Sequence, residues 1–174
     1  KEQVYKIFTG EITDWSQINE NLSGTINVYT RDAESGTRGA FQEIIDFSDE
    51  ELVDNAIVTS GNGDMATKVG QDNRGIGYVS LSTNLEANGL KALQYEGVDA
   101  TVENTINETY KLARPFNFTT RKKGDFANDD VEAMVEAFIA YLNTKDGIAI
   151  MNAQGVIIDD SNAPTWNSIR DNYP

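Results

Sequence analysis

Cysteine and histidine are both missing from the 174 residues. Without cysteine there are no disulfides, thiolate zinc sites or cysteine nucleophiles; without histidine there is no Ser-His-Asp chemistry and little scope for a transition-metal site. Most familiar hydrolase mechanisms therefore lack a base. The missing cysteine carries no information about compartment, because cysteine-free chains occur both in the cytosol and on bacterial surfaces. Positive charge is also scarce: 14 Lys and Arg face 28 Asp and Glu, for a net charge of −14 and a pI near 4.2. Such a surface repels nucleic acid and anionic lipid, and its longest basic run, Arg121-Lys122-Lys123, reads as a solvated turn. No apolar run approaches the roughly 20 residues of a membrane-spanning helix, and no signal-peptide pattern opens the chain. Lys1 in place of an initiator methionine predicts that something upstream was removed. What is present, 39% apolar and 9% aromatic residues, suffices for a core and argues against general disorder.

Hydrophobic periodicity sets an order of elements. Val4, Ile7 and Phe8 fit one face of a short helix, followed by the turn Thr9-Gly10 and then Ile12, Trp15 and Ile18. Thr25 to Thr30 alternates branched or aromatic residues with polar ones and reads as a strand running into Arg31-Asp32-Ala33-Glu34-Ser35-Gly36-Thr37-Arg38. Phe41, Ile44 and Ile45 then form a helical stripe, with Ser35 as the N-cap. A second such unit follows, with strand Asn55 to Val58, loop Ser60-Gly61-Asn62-Gly63 and a helix over Asp64 to Gln71. Gly75 to Leu81 reads as a buried strand; Leu90 to Tyr95 and Thr109 to Ala113 read as further sheet strands. Pro115 marks a break and the expected lobe boundary, after which Phe116 to Thr120 reads extended. Val131 to Leu142 is amphipathic, with Val131, Met134, Val135, Phe138, Ile139 and Leu142 on one side; Gly147 to Ala153 gives another helix and Gly155 to Ile158 an extended exit.

Arg31 and Arg38 are the only basic residues between Lys6 and Lys68, and they bracket Ser35-Gly36-Thr37. A cationic island in an acidic chain fits an oxyanion site. Hydroxyls donate, glycine lets backbone approach closely, first-turn N–H groups point outward at the positive end of the helix dipole, and arginine adds a forked, charge-assisted contact. The plainer reading is that Ser35 only caps a helix while both arginines pair with Asp32, Glu34 or Glu43. On the pattern alone both readings stand.

Three strings taken together resemble one family. They are Ile7-Phe8-Thr9-Gly10-Glu11-Ile12-Thr13-Asp14-Trp15, then Arg31-x-x-x-Ser35-Gly36-Thr37-Arg38-x-x-Phe41, then Gly75-Ile76-Gly77-Tyr78-Val79-Ser80-Leu81. In this order and at this spacing, with Arg114-Pro115-Phe116 trailing, they resemble the phosphate-binding receptors of bacterial ABC-type phosphate transporters. The resemblance implies an α/β, periplasmic-binding-protein-like (type II) lobe with a central mixed sheet flanked by helices, plus the C-terminal remnant of a second lobe. It also implies that Arg31, Ser35, Gly36 and Thr37 hold inorganic phosphate. Around them Arg38 would orient Asp32 or Glu34 or help hold the anion, and Gly61, Asn62 and Gly63 would line or support the cleft. Asp32 or Glu34 as a replacement proton acceptor competes with the simpler role of a solvated carboxylate near a helix N-terminus. The net charge does not oppose phosphate, since short-range donors in a desolvated site outweigh a diffuse field screened over about 10 Å.

The resemblance covers only the later part of the family's length. It places 8–113 in the phosphate-binding lobe and assigns 1–7 and 114–174 to the hinge and the C-terminal part of the other lobe, whose N-terminal part is absent. The expected explanations are a cut piece or proteolytic fragment, a chain completed by another copy, or a shortened descendant. The helix over Val131 to Leu142 would then have less core to cover. A carboxylate that accepts the proton of hydrogen phosphate lies in the absent portion, which predicts weak binding and poor rejection of sulfate. The expected partners are phosphate, a membrane ABC permease, and the missing lobe or another copy of the chain. No cofactor, no metal and no turnover are expected. The implied location is the outer face of the bacterial cytoplasmic membrane, lipid-anchored in the parent protein. An alternative is a non-transport interaction or phosphate-sensing module that keeps the fold and self-assembles.

Other patterns are weaker. Gly61-Asn62-Gly63-Asp64 lacks a P-loop ending, and Asp46 to Glu51 is out of register for an EF-hand. Trp15, Trp166, Tyr5, Tyr29 and Tyr78 are expected in cores rather than stacked on a sugar or base.

Overall fold

The computed structural model describes residues 1–115 and 117–173. Two compact units divide the chain, Lys1–Arg114 and Pro115–Pro174.

In the first unit α1 (Glu2–Phe8) buries Ile7 and Phe8 and is followed by a short 3₁₀ turn, Trp15–Gln17, closed by a capping box between Asp14 and Gln17. The sheet is built from β1 (Asn27–Arg31), β2 (Ile57–Thr59) and β3 (Gly75–Ile76), with α2 (Gly36–Ile45) and α3 (Asn62–Gly70) as the crossovers and α4 (Val102–Ile106) later in the unit. The strand order is β2-β1-β3, and both pairings are parallel. Parallel neighbours require long crossovers, and a helix long enough to bury a stripe supplies each of them. β1 is the central strand, so Val28, Tyr29 and Thr30 are all buried, whereas at the β2 edge Ile57 and Val58 remain exposed. Phe8, Phe41 and Tyr78 form the centre of the core, with Phe41 stacked on Tyr78 at 4.1 Å and tilted against Phe8 at 4.7 Å.

Several expectations need correction. The sheet is parallel throughout its three strands rather than mixed, because each connection between them runs through a helix. Leu90 to Tyr95 and Thr109 to Ala113 are not strands. Their alternation has no buried face to match: Leu93 is exposed, only Tyr95 is buried, and its one ladder contact is an antiparallel bridge to Val98 across the left-handed turn Glu96-Gly97. Tyr110 and Leu112 instead pack as single side chains on the core. β3 stops at Ile76, short of the expected Leu81, although Tyr78 still packs in the core against Phe41. Of the segment expected to be extended after the break, Phe116 lies outside the described residues and 117–120 has no regular structure. Gly155 to Ile158 is likewise irregular, its end held by Asn152, whose side chain bonds both the N–H and the carbonyl of Ile158.

The second unit contains α5 (Asp129–Leu142), α6 (Lys145–Ala153) and α7 (Trp166–Ile169). Asn128 caps α5 and Thr144 caps α6, each accepting a first-turn N–H. At Gly147 a Cβ would lie 2.2 Å from the Tyr141 carbonyl oxygen, so the sharp step from α5 into α6 requires glycine there. Trp166 packs between Tyr141 and Tyr173, and its backbone N–H donates to Asp146 Oδ2 at 2.7 Å. No residue of α5 is buried within this unit, and Met134 and Phe138 are 71% and 59% exposed.

Candidate functional site

β1 ends at Arg31, paired in register with Thr59 at the end of β2. The loops that follow, 32–35 and 60–61, therefore leave the sheet side by side, and each opens directly into a helix, α2 or α3. Ligand sites in open parallel sheets form outside the carboxyl ends of the strands, where neighbouring connections diverge. The Arg31 loop occupies that position in this unit.

Within the loop the backbone is closed locally. Ser35 N–H donates to the Asp32 carbonyl at 3.1 Å, and Ser35 Oγ accepts from Arg38 N–H at 3.3 Å. A helix leaves its first N–H groups without intrahelical acceptors. With those of Ser35 and Arg38 engaged, the N–H groups of Gly36 and Thr37 remain directed past the helix end. The Ser35 hydroxyl acts as acceptor in the cap, which leaves its proton available for an outside acceptor.

Arg31 is held from several sides. Its N–H donates to Tyr78 OH at 3.1 Å, and the same hydroxyl exchanges a hydrogen bond with Thr30 Oγ1 at 2.9 Å. Burial pushes the Tyr78 hydroxyl above its ordinary pKa, so it stays protonated at neutral pH. Arg31 Nη1 donates to Asn62 Oδ1 at 3.3 Å, and Asn62 Nδ2 donates in turn to Ser80 Oγ at 2.9 Å. Arg31 Nη2 lies 3.8 Å from Asp32 Oδ2. The Arg31 side chain is only 13% exposed, and its Nε is buried with no hydrogen-bond partner among the described residues.

Arg38 does not orient Asp32 or Glu34. Its Nη1 donates to the Arg31 carbonyl at 2.8 Å and its Nη2 pairs with Asp49, which also accepts from Gln42 Nε2 at 2.7 Å. The hydrogen bonds from Gln42 and then Arg38 hold the Asp49 carboxyl below its usual range. Arg38 is thus a strut from the end of β1 to the loop after α2, where the plainer reading had looked to Asp32, Glu34 or Glu43.

The structure therefore brings Arg31, Asp32, Ser35, Gly36, Thr37 and Asn62 together at the carboxyl end of the sheet. Gly61 caps α3 without a side-chain bond, and at both Gly61 and Gly63 a Cβ would meet nothing within 4 Å, so the backbone is open on either side of Asn62. Sequence reasoning missed the support given by Tyr78, Ser80 and Asp49. It also missed the guanidinium of Arg114, whose Nη2 lies 3.1 Å from where a Gly36 Cβ would be. Tyr78 and Ser80 fall within the third string that carried the family resemblance; Asp49 had no local signal. A separate surface groove runs along Asn27, Tyr29, Lys68 and Asp72 at the opposite end of β1, where Asp72 accepts from Asn27 and Tyr29. Among the described residues no cluster of carboxylates could hold a metal ion, and no helix is long and apolar enough to cross a membrane.

Residues 1–146 match the PBP superfamily domain. The protein named phosphate-binding protein PstS 2 of Streptococcus agalactiae serotype V is 37% identical over 154 residues, covering 83% of this chain and 50% of that protein. A substrate-binding protein of Clostridium perfringens solved with bound phosphate superposes with a TM-score of 0.71 at 31% identity, over 90% of this chain and 61% of that one. An ABC-type phosphate transport receptor from Vibrio cholerae gives a TM-score of 0.72 at 29% identity, over 91% and 63% respectively. The chain spans about half the length of the curated relatives it matches. A parallel sheet with paired loop-to-helix turns at its carboxyl end, the family match over 1–146 and these likenesses make this chain a member of the PBP superfamily, similar to phosphate-binding receptors over part of their length.

Proposed function

We propose that the first unit binds inorganic phosphate as a partial receptor, the solute-binding component of an ABC-type phosphate uptake system. Arg31 supplies the charge, Ser35 a hydroxyl donor, Gly36 and Thr37 backbone N–H groups, and Thr37 a second hydroxyl. Asp32 and Asn62 aim the guanidinium, Arg38 braces the strand end, and Gly61 and Gly63 keep the neighbouring backbone open. The first unit corresponds to one lobe of the receptor, with 1–7 contributing to its hinge, and 115–174 belongs with the other lobe. The site binds and releases without turnover, and the permease it serves lies in the membrane. The receptor works on the outer face of the cytoplasmic membrane, anchored by lipid in the parent protein.

One observation carries this reading. Arg31 is nearly buried, yet its partners stand at 3.3 and 3.8 Å and its Nε has no partner among the described residues. A desolvated guanidinium this loosely matched is costly, and an oxyanion at the adjacent helix end would offset that cost with charge-assisted bonds. Isothermal titration with phosphate, using sulfate as competitor, tests it: binding by the wild-type chain, lost in Arg31→Ala, is expected. Equal binding by the two proteins would remove Arg31 from the site.

A second reading is favoured by the exposed apolar side chains Val131, Met134 and Phe138, which share one side of α5. In this reading the chain is an interaction or sensing module that assembles through that face. Light scattering decides it: a concentration-dependent dimer with no phosphate affinity supports this reading, and a monomer that binds phosphate rejects it.

A further inference from the structure

From the hydrogen bonds around Asn62 we infer that Ser80 is a positioning residue for anion binding. It fixes the Asn62 side-chain amide with its oxygen toward Arg31, and so keeps the guanidinium in the pose that serves the Ser35 loop. The inference rests on the phosphate-binding reading above.

A guanidinium can only donate, so the nearly buried Arg31 side chain needs acceptors that are held in place. At Nη1 that acceptor is Asn62 Oδ1, 3.3 Å away. A side-chain amide has two ends of similar size and opposite hydrogen-bonding sense. Turned over, it would set its NH2 against Nη1, donor against donor, and Arg31 would lose this neutral acceptor. Some neighbour must therefore select one orientation.

Ser80 selects it with two groups. Its Oγ accepts from Asn62 Nδ2 at 2.9 Å, and its backbone N–H points to Asn62 Oδ1 at 3.4 Å. The hydroxyl alone is ambivalent, since it can donate or accept; the N–H contact is long, but it has only one sense and opposes the turned amide. Ser82 Oγ lies 3.1 Å from Ser80 Oγ, and whichever of these hydroxyls donates, Ser80 Oγ keeps a lone pair for Asn62.

The order of the strands brings these residues together. β1 lies between β2 and β3; Asn62 opens α3 after β2, and Ser80 follows β3. Their contact joins the two outer connections at the carboxyl end of the central strand, where Arg31 stands. Tyr78, two residues before Ser80, accepts the backbone N–H of Arg31. One short segment thus anchors the Arg31 backbone directly and its side chain through Asn62.

Titrations of inorganic phosphate into wild type, Arg31→Ala, Ser80→Ala, Ser80→Thr, Asn62→Ala and the Ser80→Ala/Asn62→Ala double variant test this. Ser80→Ala is expected to weaken phosphate by about fivefold, the scale of one hydrogen bond, and Ser80→Thr, which keeps the hydroxyl, by less than about twofold. The double variant should bind like Asn62→Ala alone, because Ser80 acts through Asn62; a residue that only supported the fold would multiply the two losses. Losses that multiply, or equal losses in Ser80→Thr and Ser80→Ala, overturn the role of Ser80 and leave phosphate binding standing. So does a Ser80→Ala affinity equal to that of wild type while Arg31→Ala abolishes binding. Absence of binding by the wild-type chain at millimolar phosphate overturns the phosphate-binding reading and this inference with it.

Discussion

Tyr78→Phe isolates the hydroxyl that joins the core to the site. The ring stays, including its stack on Phe41 at 4.1 Å, so no cavity larger than an oxygen atom is made. What disappears is the bond to Arg31 N–H at 3.1 Å and the bond shared with Thr30 Oγ1 at 2.9 Å. Thr30 is 2% exposed and the Tyr78 beside it 8%, so water has little access to the Thr30 hydroxyl left behind. Each buried group without a partner costs about 1–3 kcal/mol, offset in part because the buried hydroxyl no longer has to be desolvated; the net is about 2 kcal/mol. With a urea slope of about 1–3 kcal/mol/M, that lowers the midpoint by roughly 1 M at an unchanged slope. The assay follows Trp15 fluorescence in a Trp166→Phe background, since the two tryptophans report on different units. Phosphate affinity should fall as well, because the backbone that carries the Arg31 guanidinium loses its anchor. A midpoint within about 0.2 M of the parent would refute the claim that this hydroxyl secures the end of β1.

Other outcomes follow from the same geometry. Gly147→Ala sets a methyl group 2.2 Å from the Tyr141 carbonyl oxygen, and should destabilise the second unit by about 3 kcal/mol or more; Trp166 fluorescence should show an earlier transition while that of Trp15 does not move. Asn62→Ala removes the acceptor for Arg31 Nη1 and should weaken phosphate by about three- to tenfold, read by calorimetry, with little change in melting. Hydrogen bonds from the Arg74 N–H, Asn27 and Tyr29 hold Asp72 below 3.8, and Gln42 and Arg38 do the same for Asp49. Unfolded chains therefore take up these protons first, so stability is present above about pH 4 and is lost as pH falls through the lower folded values. Burial raises Tyr78 and Tyr110 above 10.0, so their contribution is complete below pH 10 and is lost as pH rises beyond it. Melting temperature should be flat between the two limits and fall on either side, and a rise on acidification from pH 4 to pH 3 would contradict the carboxylate assignments.

Local chemistry was legible in the sequence; pairing across the chain was not. The Ser35 cap, the run from β1 into α2 and the amphipathic α5 each follow from signals within a few residues, and the structure contains all three. The failures at Leu90 to Tyr95 and Thr109 to Ala113 have one cause: alternation marks a strand only when another strand offers its edge and one face is covered, and neither condition is visible locally. The same limit applies around the Arg31 loop. Arg31 and Arg38 stood out as basic residues among carboxylates, but nothing near Arg38 announced Asp49, which becomes its partner only after α2 folds the chain back. Tyr78 was read as a core aromatic, which its ring is; that its hydroxyl meets the Arg31 N–H depends on the parallel pairing of β1 with β3. Arg114 reaches Gly36 through the whole length of the unit, and no spacing rule could have joined them.

The central claim is that the first turn of α2, beside Arg31, seats phosphate on the N–H groups of Gly36 and Thr37. Amide NMR of the ¹⁵N-labelled chain during a phosphate titration measures this directly. The account predicts saturable shifts centred on Gly36 and Thr37, with smaller ones at Ser35 and Asn62, and their disappearance in Arg31→Ala. Shifts centred elsewhere, or none at millimolar phosphate with the wild-type fold intact, would contradict it.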